Sequence, residues 1–591
     1  MSTNNSSLVG TSQKFVAYLT FGWMDYTLFF VMLSISAAVG VYFGFFSKKQ
    51  DTKKEYLFGG KAMSYFPVAM SITAGHVSGI TLLGIPSEVY KYGTQYAACI
   101  FTTIFMCFLT SYIFLPVFHK LQLTSTFEYL ELRFGRIVRQ LASVLYTISL
   151  ILHTPLVIYG PALAFAQVTG SDMHYVAPAI GGVCIFYTTV GGLKAVVWTD
   201  TIQFTVTIVT LFIVLTLGII SVGGIGEIWR ISGEGGRLIF FDMNPSPFVR
   251  SSFWAVSLGL TTSWAANISV NQSSMQRFLA VPTLSEARVS LWVLCVGLVT
   301  AKWISIATGL IMFSKYHDCD PVTANIVDKA DQMLPYYVMD VAGNIPGLPG
   351  LFISALVSSA LSTMSGGLNT AAGTIWEDFI SPWIPESEKK EAMATKVMKV
   401  TVVLLGFLCI FFVFIVEHLG DIFMVSTTMN GVTAGTITGF YVLGMMVPWA
   451  NYKGAVIGGI IGFTASTWII VGAQVEKVKD TYVSLPTSIA NCAIQPNMTH
   501  STESTSASPV DSEDKPMILY TISFLYYSLI GITVVVVSGT MASFVTGRSK
   551  LNELNRDHFA PIVQRFLPRE KYTEVPLKPI PEVPDKEKEA M

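Results

Sequence analysis

Apolar runs long enough to cross a lipid bilayer recur down this chain, and no other feature limits its fold as strongly. A spanning helix needs about 20 mostly apolar residues. Runs of that kind fall at about 25–46, 64–89, 96–118, 140–168, 175–191, 193–221, 252–276, 289–313, 347–372, 397–419, 421–447, 454–474 and 517–545, thirteen in all. In hydrocarbon every backbone N–H and C=O must be satisfied within the segment, so the runs must be helices. The expected fold class is an all-α integral membrane protein of about thirteen transmembrane helices. Composition agrees: 52% of residues are hydrophobic and 13% charged, against about 25% charged in a soluble domain. A net charge of −1 makes no case for nucleic acid. Met1 to Trp23 is polar, with no basic region leading to a small-residue cleavage site, so the first apolar run is expected to stay as a span.

An odd number of spans puts the two termini on opposite sides. Basic residues then set the orientation. With the amino terminus outside, inner loops and the carboxyl tail hold 26 of the 37 Lys and Arg, Arg277 and Arg288 among them. Without the tail the balance is 17 to 11. This predicts a multi-pass plasma-membrane protein with its amino terminus extracellular and its carboxyl terminus cytoplasmic. Asn497 in the long loop 475–516 begins a glycosylation sequon, as do Asn4 and Asn5 on the amino-terminal arm. Of seven cysteines only Cys319 and Cys492 lie in loops, both external. A disulfide between them is expected, with two free thiols as the alternative.

The stretch Ile353 to Thr370 is uncharged, yet seven of its eighteen residues are Ser or Thr. Lipid rewards none of these hydroxyls. They serve either close helix packing or a polar path with oxygens for a hard cation such as Na⁺. Two other spans carry polar interruptions. One is Ala74-Gly75-His76-Val77-Ser78-Gly79, and the other runs from Ser263 to Ser274. Unwound backbone at this depth is tolerated only against protein or water, and its freed carbonyls are natural Na⁺ ligands. The two breaks lie five spans apart, which predicts a 5+5 inverted repeat of residues 64–221 and 252–447. Around these halves the chain divides into an arm (1–24), a peripheral helix with its loop (25–63), a connecting loop (222–251), two more helices with the glycosylated loop (448–545) and a tail (546–591). The tail from Leu551 onward is charged and proline-bearing, and reads as disordered.

Ionisable residues inside spans are candidates for function because burying them is costly. Asp200 stands near the inner end of a span, with Gln203 one turn on along the same face. Lys302 falls mid-span and could pair with backbone carbonyls or with an anionic substrate. His76 lies in the unwound segment, where a packing role is equally open. Glu88, at an outer helix end, is expected to be solvated. No metal-ligand cluster, phosphate loop or catalytic triad signature is present, so an enzyme is not expected.

Four stretches together carry a resemblance: Leu83 to Tyr90 (LGIPSEVY), Leu123 to Phe134 (LTSTFEYLELRF), Gly191 to Asp200 (GGLKAVVWTD) and Val270 to Arg277 (VNQSSMQR). In these the chain resembles the sodium/solute symporter family over about residues 20–545. It is most similar to the branch of monocarboxylate, multivitamin and iodide transporters. Tyr316 to Pro321 with Asp331 to Pro335 looks closest to the sodium-coupled monocarboxylate transporters. The resemblance implies a LeuT-type inverted repeat and a Na⁺ site between spans 2 and 9. Its ligands would be the carbonyls of Ala74 and Val77 with Ser359, Ser362 and Thr363. It further implies Asp200, Gln203 and Gln272 in Na⁺ coupling, and Asn271 and Lys302 at substrate positions of sugar-carrying relatives. This chain departs from those relatives at Gly75-His76, where they have Ser-Phe, and at Thr81, where iodide transporters have glutamine. It departs again at Met364-Ser365-Gly366-Gly367. His76 and Thr81 therefore join the substrate candidates. The implied activity is Na⁺-coupled import of a small organic anion, a monocarboxylate first, with vitamins such as biotin or pantothenate, iodide or sugar as alternatives. A sensor or Na⁺-leak channel on the same scaffold, and a Na⁺-independent exchanger, are the other classes.

Overall fold

The computed structural model describes residues 20–42, 63–123, 125–385, 387–476, 478, 482–492, 517–550 and 554–567, the side chains of 40, 190–195, 388 and 389 excepted. Asn4, Asn5 and Asn497 lie outside the described residues. Within them the protein is helical, with no strand. The long helices are α1 (Trp23–Val41), α2 (Tyr65–His76), α3 (Ile85–Tyr92), α4 (Cys99–Leu109), α5 (Leu115–Leu121), α6 (Thr126–Phe134), α7 (Arg136–Thr169) and α8 (Met173–Val222). After them come α9 (Ile225–Glu234), α10 (Leu260–Ile268), α11 (Gln272–Phe278), α12 (Leu284–Tyr316), α13 (Met333–Ala342), α14 (Leu348–Ile375), α15 (Glu388–Val416), α16 (Ile422–Met446), α17 (Tyr452–Val475) and α18 (Tyr527–Thr546).

Among the described residues, eight helices are long and apolar enough to cross a membrane, nine when a bent pair counts as one. Helix is present at each of the thirteen expected positions. Two expected spans share α8, whose 50 residues would extend about 75 Å at 1.5 Å per residue. A bilayer core of about 30 Å cannot hold that length as one crossing.

Both expected breaks are present, and each is narrower than its sequence suggested. The first span bends by 58° between α2 and the π-turn Ile80–Gly84 that leads into α3. Val77 ends α2 in a non-helical conformation (φ −89°, ψ 74°). The glycines on either side of His76 weaken the helix here, and Gly79 packs on Pro161 of α7. The second break is confined to Ser269 and Val270, before Asn271 caps α11 by accepting the N–H groups of Ser273 and Ser274.

Cys319 and Cys492 are joined by a disulfide. The segment 482–492 lies across one end of the bundle, where Leu485 N donates to Lys91 O at 2.9 Å and Asp320 N donates to Ser488 O at 2.8 Å. Lys91 at the end of α3 pairs with Asp421 before α16 at 3.2 Å. The bridge closes a loop of 173 residues, and removing such a staple typically costs about 2–4 kcal/mol. Cys319→Ser with Cys492→Ser should lower the unfolding temperature of detergent-purified protein. An unchanged midpoint would show that the staple adds nothing.

Glu88 differs from its expectation. It is buried and meets Arg250 at 2.8 Å. The long loop 222–251 folds back to bring that arginine, also stacked on Tyr92, over the helix end. On the same face Asp331 is buried and accepts the N–H of Ile422 at 3.0 Å. Burial pushes its pKa up to about 6, and the Ile422 N–H only partly offsets this. The folded state therefore holds the proton more tightly than the unfolded chain. Asp331 adds stability as pH falls from 7 through 6, and removes it as pH rises again. Thermal stability between pH 7.5 and 5 should change less steeply in Asp331→Asn than in the native protein. Equal slopes would contradict this.

At the opposite face part of the tail is folded, against expectation. Residues 554–567 return to the bundle, burying Phe559 and Ala560. Tyr129 OH donates to His558 O at 2.9 Å and Ala560 N to Met445 O at 3.1 Å. Short apolar anchors in a charged segment are enough to dock it where a helix end leaves free carbonyls.

Candidate functional site: a cation cleft beside a polar cavity

Helix α14 explains how so many hydroxyls survive in a buried helix. Several of them bond back to their own helix, as Ser354 does to Leu351 O, Ser365 to Ser362 O and Thr370 to Gly366 O. Ser359 and Thr363 instead reach across to the break after α2. Ser359 Oγ donates to Val77 O, and Thr363 Oγ1 donates to Gly75 O at 2.9 Å as well as to Ser359 O at 3.1 Å. The hydroxyl of Ser358 is buried without a hydrogen-bond partner, and that of Ser362 has none beyond the Asp200 carboxylate within its range. The side-chain oxygen of Gln203 is likewise buried without a partner.

These three oxygens surround one small cavity. It has a volume of about 10 Å³ and is lined by Ala74, Val77, Gln203, Phe204, Thr207, Ser358, Ser359 and Ser362. That is room for one water-sized sphere. A buried polar atom without a partner requires an explanation, and carbonyl and hydroxyl oxygens are hard, uncharged donors of the kind Na⁺ takes. The residues present fit the ion. Ala74, Val77, Ser359 and Ser362 are brought together around the cavity, Gln203 and Ser358 join them, and Thr363 forms the neighbouring wall.

Asp200 lies next to this cleft. It accepts from Ser71 Oγ at 2.7 Å, stands 3.5 Å from Arg277 Nη1 and is within interaction range of the Ser362 hydroxyl. Gln203 turns its amide nitrogen to Ser36 of α1 at 2.6 Å. Gln272 is engaged elsewhere, accepting Thr126 N at 2.5 Å at the start of α6. That bond caps α6 rather than joining Gln272 to Asp200. Arg277, expected in an inner loop, is buried in α11 and donates to Ser71 O at 2.7 Å. The signal was available: a buried aspartate needs a counter-charge, and the polar break runs directly into this arginine.

Beyond Thr363 a polar cavity opens in two lobes. The first, about 120 Å³, is lined by Asn271, Ser273, Ser274, Arg277 and Tyr146 among others. The second, about 110 Å³, includes Thr81, Trp264, Tyr96 and Phe423. Gly75, His76, His153, Thr363, Asn267 and Asn430 border both. Each lobe has space for a few heavy atoms. His76 bonds Ser274 Oγ at 2.9 Å and sets its ring edgewise to Trp264. Tyr96 and Phe423 meet edge to face at 5.2 Å on the side nearer the disulfide.

The structure thus places His76, Thr81 and Asn271 on the cavity. Lys302 is a correction: it lines neither lobe. Its ammonium donates to Thr103 Oγ1 at 2.8 Å and lies 4.0 Å from the centre of the Trp264 ring. Cation–π contact and a hydroxyl satisfy it behind the indole. His153 and Asn430 escaped the sequence reading because isolated polar residues in separate spans share no local pattern, whereas Asn267 lies within the Ser263–Ser274 interruption without being distinguished from its polar neighbours.

The family model of the sodium:solute symporter family matches residues 56–462. The chain belongs to the sodium:solute symporter family. It is 39% identical over 544 residues to sodium-coupled monocarboxylate transporter 1 of Homo sapiens, covering 90% of this chain and 89% of that protein. Sodium-coupled monocarboxylate transporter 2 of Homo sapiens is 37% identical, over 92% of this chain and 88% of its own length. The sodium-dependent multivitamin transporter of Oryctolagus cuniculus is 33% identical, over 93% and 86%. A solved structure of a substrate-bound, outward-open Na⁺-coupled sialic acid symporter superposes with a TM-score of 0.73 at 23% identity, covering 90% of this chain and 99% of that one. That likeness shows the LeuT-type fold. This symporter-family member is a multi-pass membrane protein, its relatives are transporters rather than enzymes, and Na⁺ is its co-transported ion.

Proposed function

We propose that the protein imports a small monocarboxylate with Na⁺ across the plasma membrane, with its amino terminus outside and its carboxyl terminus in the cytosol. The observation that carries this reading is the pairing of two adjoining spaces. One is a cleft of orphaned oxygens sized for a single cation. The other is a small cavity lined by a guanidinium, two imidazoles and three amides, with no aspartate or glutamate. The sodium-coupled monocarboxylate transporters among its relatives support the choice of solute. Residues 64–221 and 252–447 act as the two inverted halves, with α1, α17 and α18 outside them.

In this reading Na⁺ enters from the disulfide side and is held by the carbonyls of Ala74 and Val77, the hydroxyls of Ser359 and Ser362 and the Gln203 oxygen. Binding fastens the end of α2 to α14. Thr363, hydrogen-bonded to Gly75, joins the cleft to the solute cavity, so a filled cleft stabilises the solute-ready cavity. Coupling needs only that Na⁺ bind the solute-competent state better than its alternative. The membrane potential adds about 2.3 kcal/mol per charge per 100 mV.

Labelled propionate uptake, in cells where surface labelling confirms delivery, tests the reading. Uptake in Na⁺ that disappears in choline is the expected result. Uptake that is the same in both media would defeat the assignment of Na⁺-driven import. Absent uptake in both would defeat the monocarboxylate assignment.

A further inference from the structure

We propose that Arg277 is the carboxylate-binding residue of the central cavity, seated in a slot left open by Gly75 and Gly366 and charge-balanced by Asp200. The inference rests on the reading that the solute is an anion. Arg277 lines the first lobe together with His76, His153 and Asn271. Only part of its donor fork is committed: Nη1 donates to Ser71 O, and Nε is buried without a partner. A guanidinium with unspent donors beside a cavity of a few heavy atoms suits a carboxylate, whose two oxygens match its planar fork. The other cationic candidate, Lys302, is spent on Thr103 and Trp264.

The slot is the unusual part. A Cβ on Gly75 would stand 3.2 Å from Arg277 Nη1, and one on Gly366 would stand 2.5 Å from Nη2. A side chain at Gly366 would displace the guanidinium, and one at Gly75 would press it by a few tenths of an ångström. Asp200 at 3.5 Å keeps the buried guanidinium charged without capturing its whole fork. Ser362 borders both the cation cleft and the lobe that Arg277 lines, so ion and anion would sit on either side of one residue.

The test is the KM for propionate at saturating Na⁺ in Arg277→Lys and Gly366→Ala, alongside Na⁺-dependent charge movement recorded without solute. KM does not scale with the amount of protein at the surface, so reduced delivery leaves it readable. Arg277→Lys keeps the charge opposite Asp200 and loses the fork. Its KM is expected to rise at least about tenfold, the loss of one charge-assisted pair, with charge movement retained. Gly366→Ala is expected to raise KM in the same direction. A KM within about twofold of the native value in Arg277→Lys overturns the proposal. A rise in Arg277→Lys alone sustains the anchor and overturns the glycine slot. Failure of the solute assignment shows separately, as absent propionate uptake in the native protein. The ratio of variant to native KM is then read with biotin, a carboxylate among the alternative solutes, and a ratio within about twofold, or absent biotin uptake, overturns the proposal.

Discussion

Cells expressing Ser359→Ala with Ser362→Ala are expected to lose Na⁺-driven uptake at ordinary external Na⁺ while still delivering protein to the surface. The cleft would keep the carbonyls of Ala74 and Val77 and the Gln203 oxygen but lose both hydroxyl ligands. Each bond from an oxygen to a full charge is worth about 1.5–3 kcal/mol in a buried site. Losing two raises the half-saturating Na⁺ concentration at least about a hundredfold, since 1.4 kcal/mol is tenfold. Alanine is the best helix former, so α14 should hold its shape. Thr363→Val should have a milder effect, because Thr363 fastens Gly75 and lies outside the cleft's own lining. The measurement is Na⁺ activation of uptake at saturating propionate. A double variant with native Na⁺ activation would remove the cleft from the mechanism.

The second large effect is expected from Asp200→Asn. Asp200 and Arg277 are both buried, and the asparagine would leave the guanidinium without its counter-charge. Breaking a buried pair from one side costs about 3–5 kcal/mol, a large share of the roughly 5–15 kcal/mol that holds a folded protein. Surface labelling should therefore show little protein. Adding Arg277→Gln removes the stranded charge and should restore delivery without restoring propionate uptake. The two changes would then be strongly non-additive. Normal delivery of the single variant would show that Asp200 does not balance Arg277.

Much of the fold can be read in the sequence because membrane solvation is severe. Thirteen apolar stretches had to be helices, and the hydroxyl-rich segment and the Gly75–Gly79 interruption were visible as local composition. Of the ligands that the resemblance implied, Ala74, Val77, Ser359 and Ser362 meet around one cleft in the structure, and Thr363 stands beside it. Their role in holding Na⁺ remains the proposal that the Ser359 and Ser362 variants test.

Other features needed the third dimension. Glu88 looked solvated from its place at a helix end, and only the returning loop 222–251 supplied Arg250. Gln272 carries an amide that sequence cannot aim, and the nearby start of α6 claims it. Lys302 is mid-membrane by position, yet it is separated from the cavity by one indole ring. Local sequence thus determined which segments cross the bilayer, where they break and where oxygens concentrate, because these depend on neighbours along the chain. Only the packed bundle decided which charges pair, which amides cap and which buried oxygens share a void. Those outcomes depend on directions and distances between helices far apart in sequence.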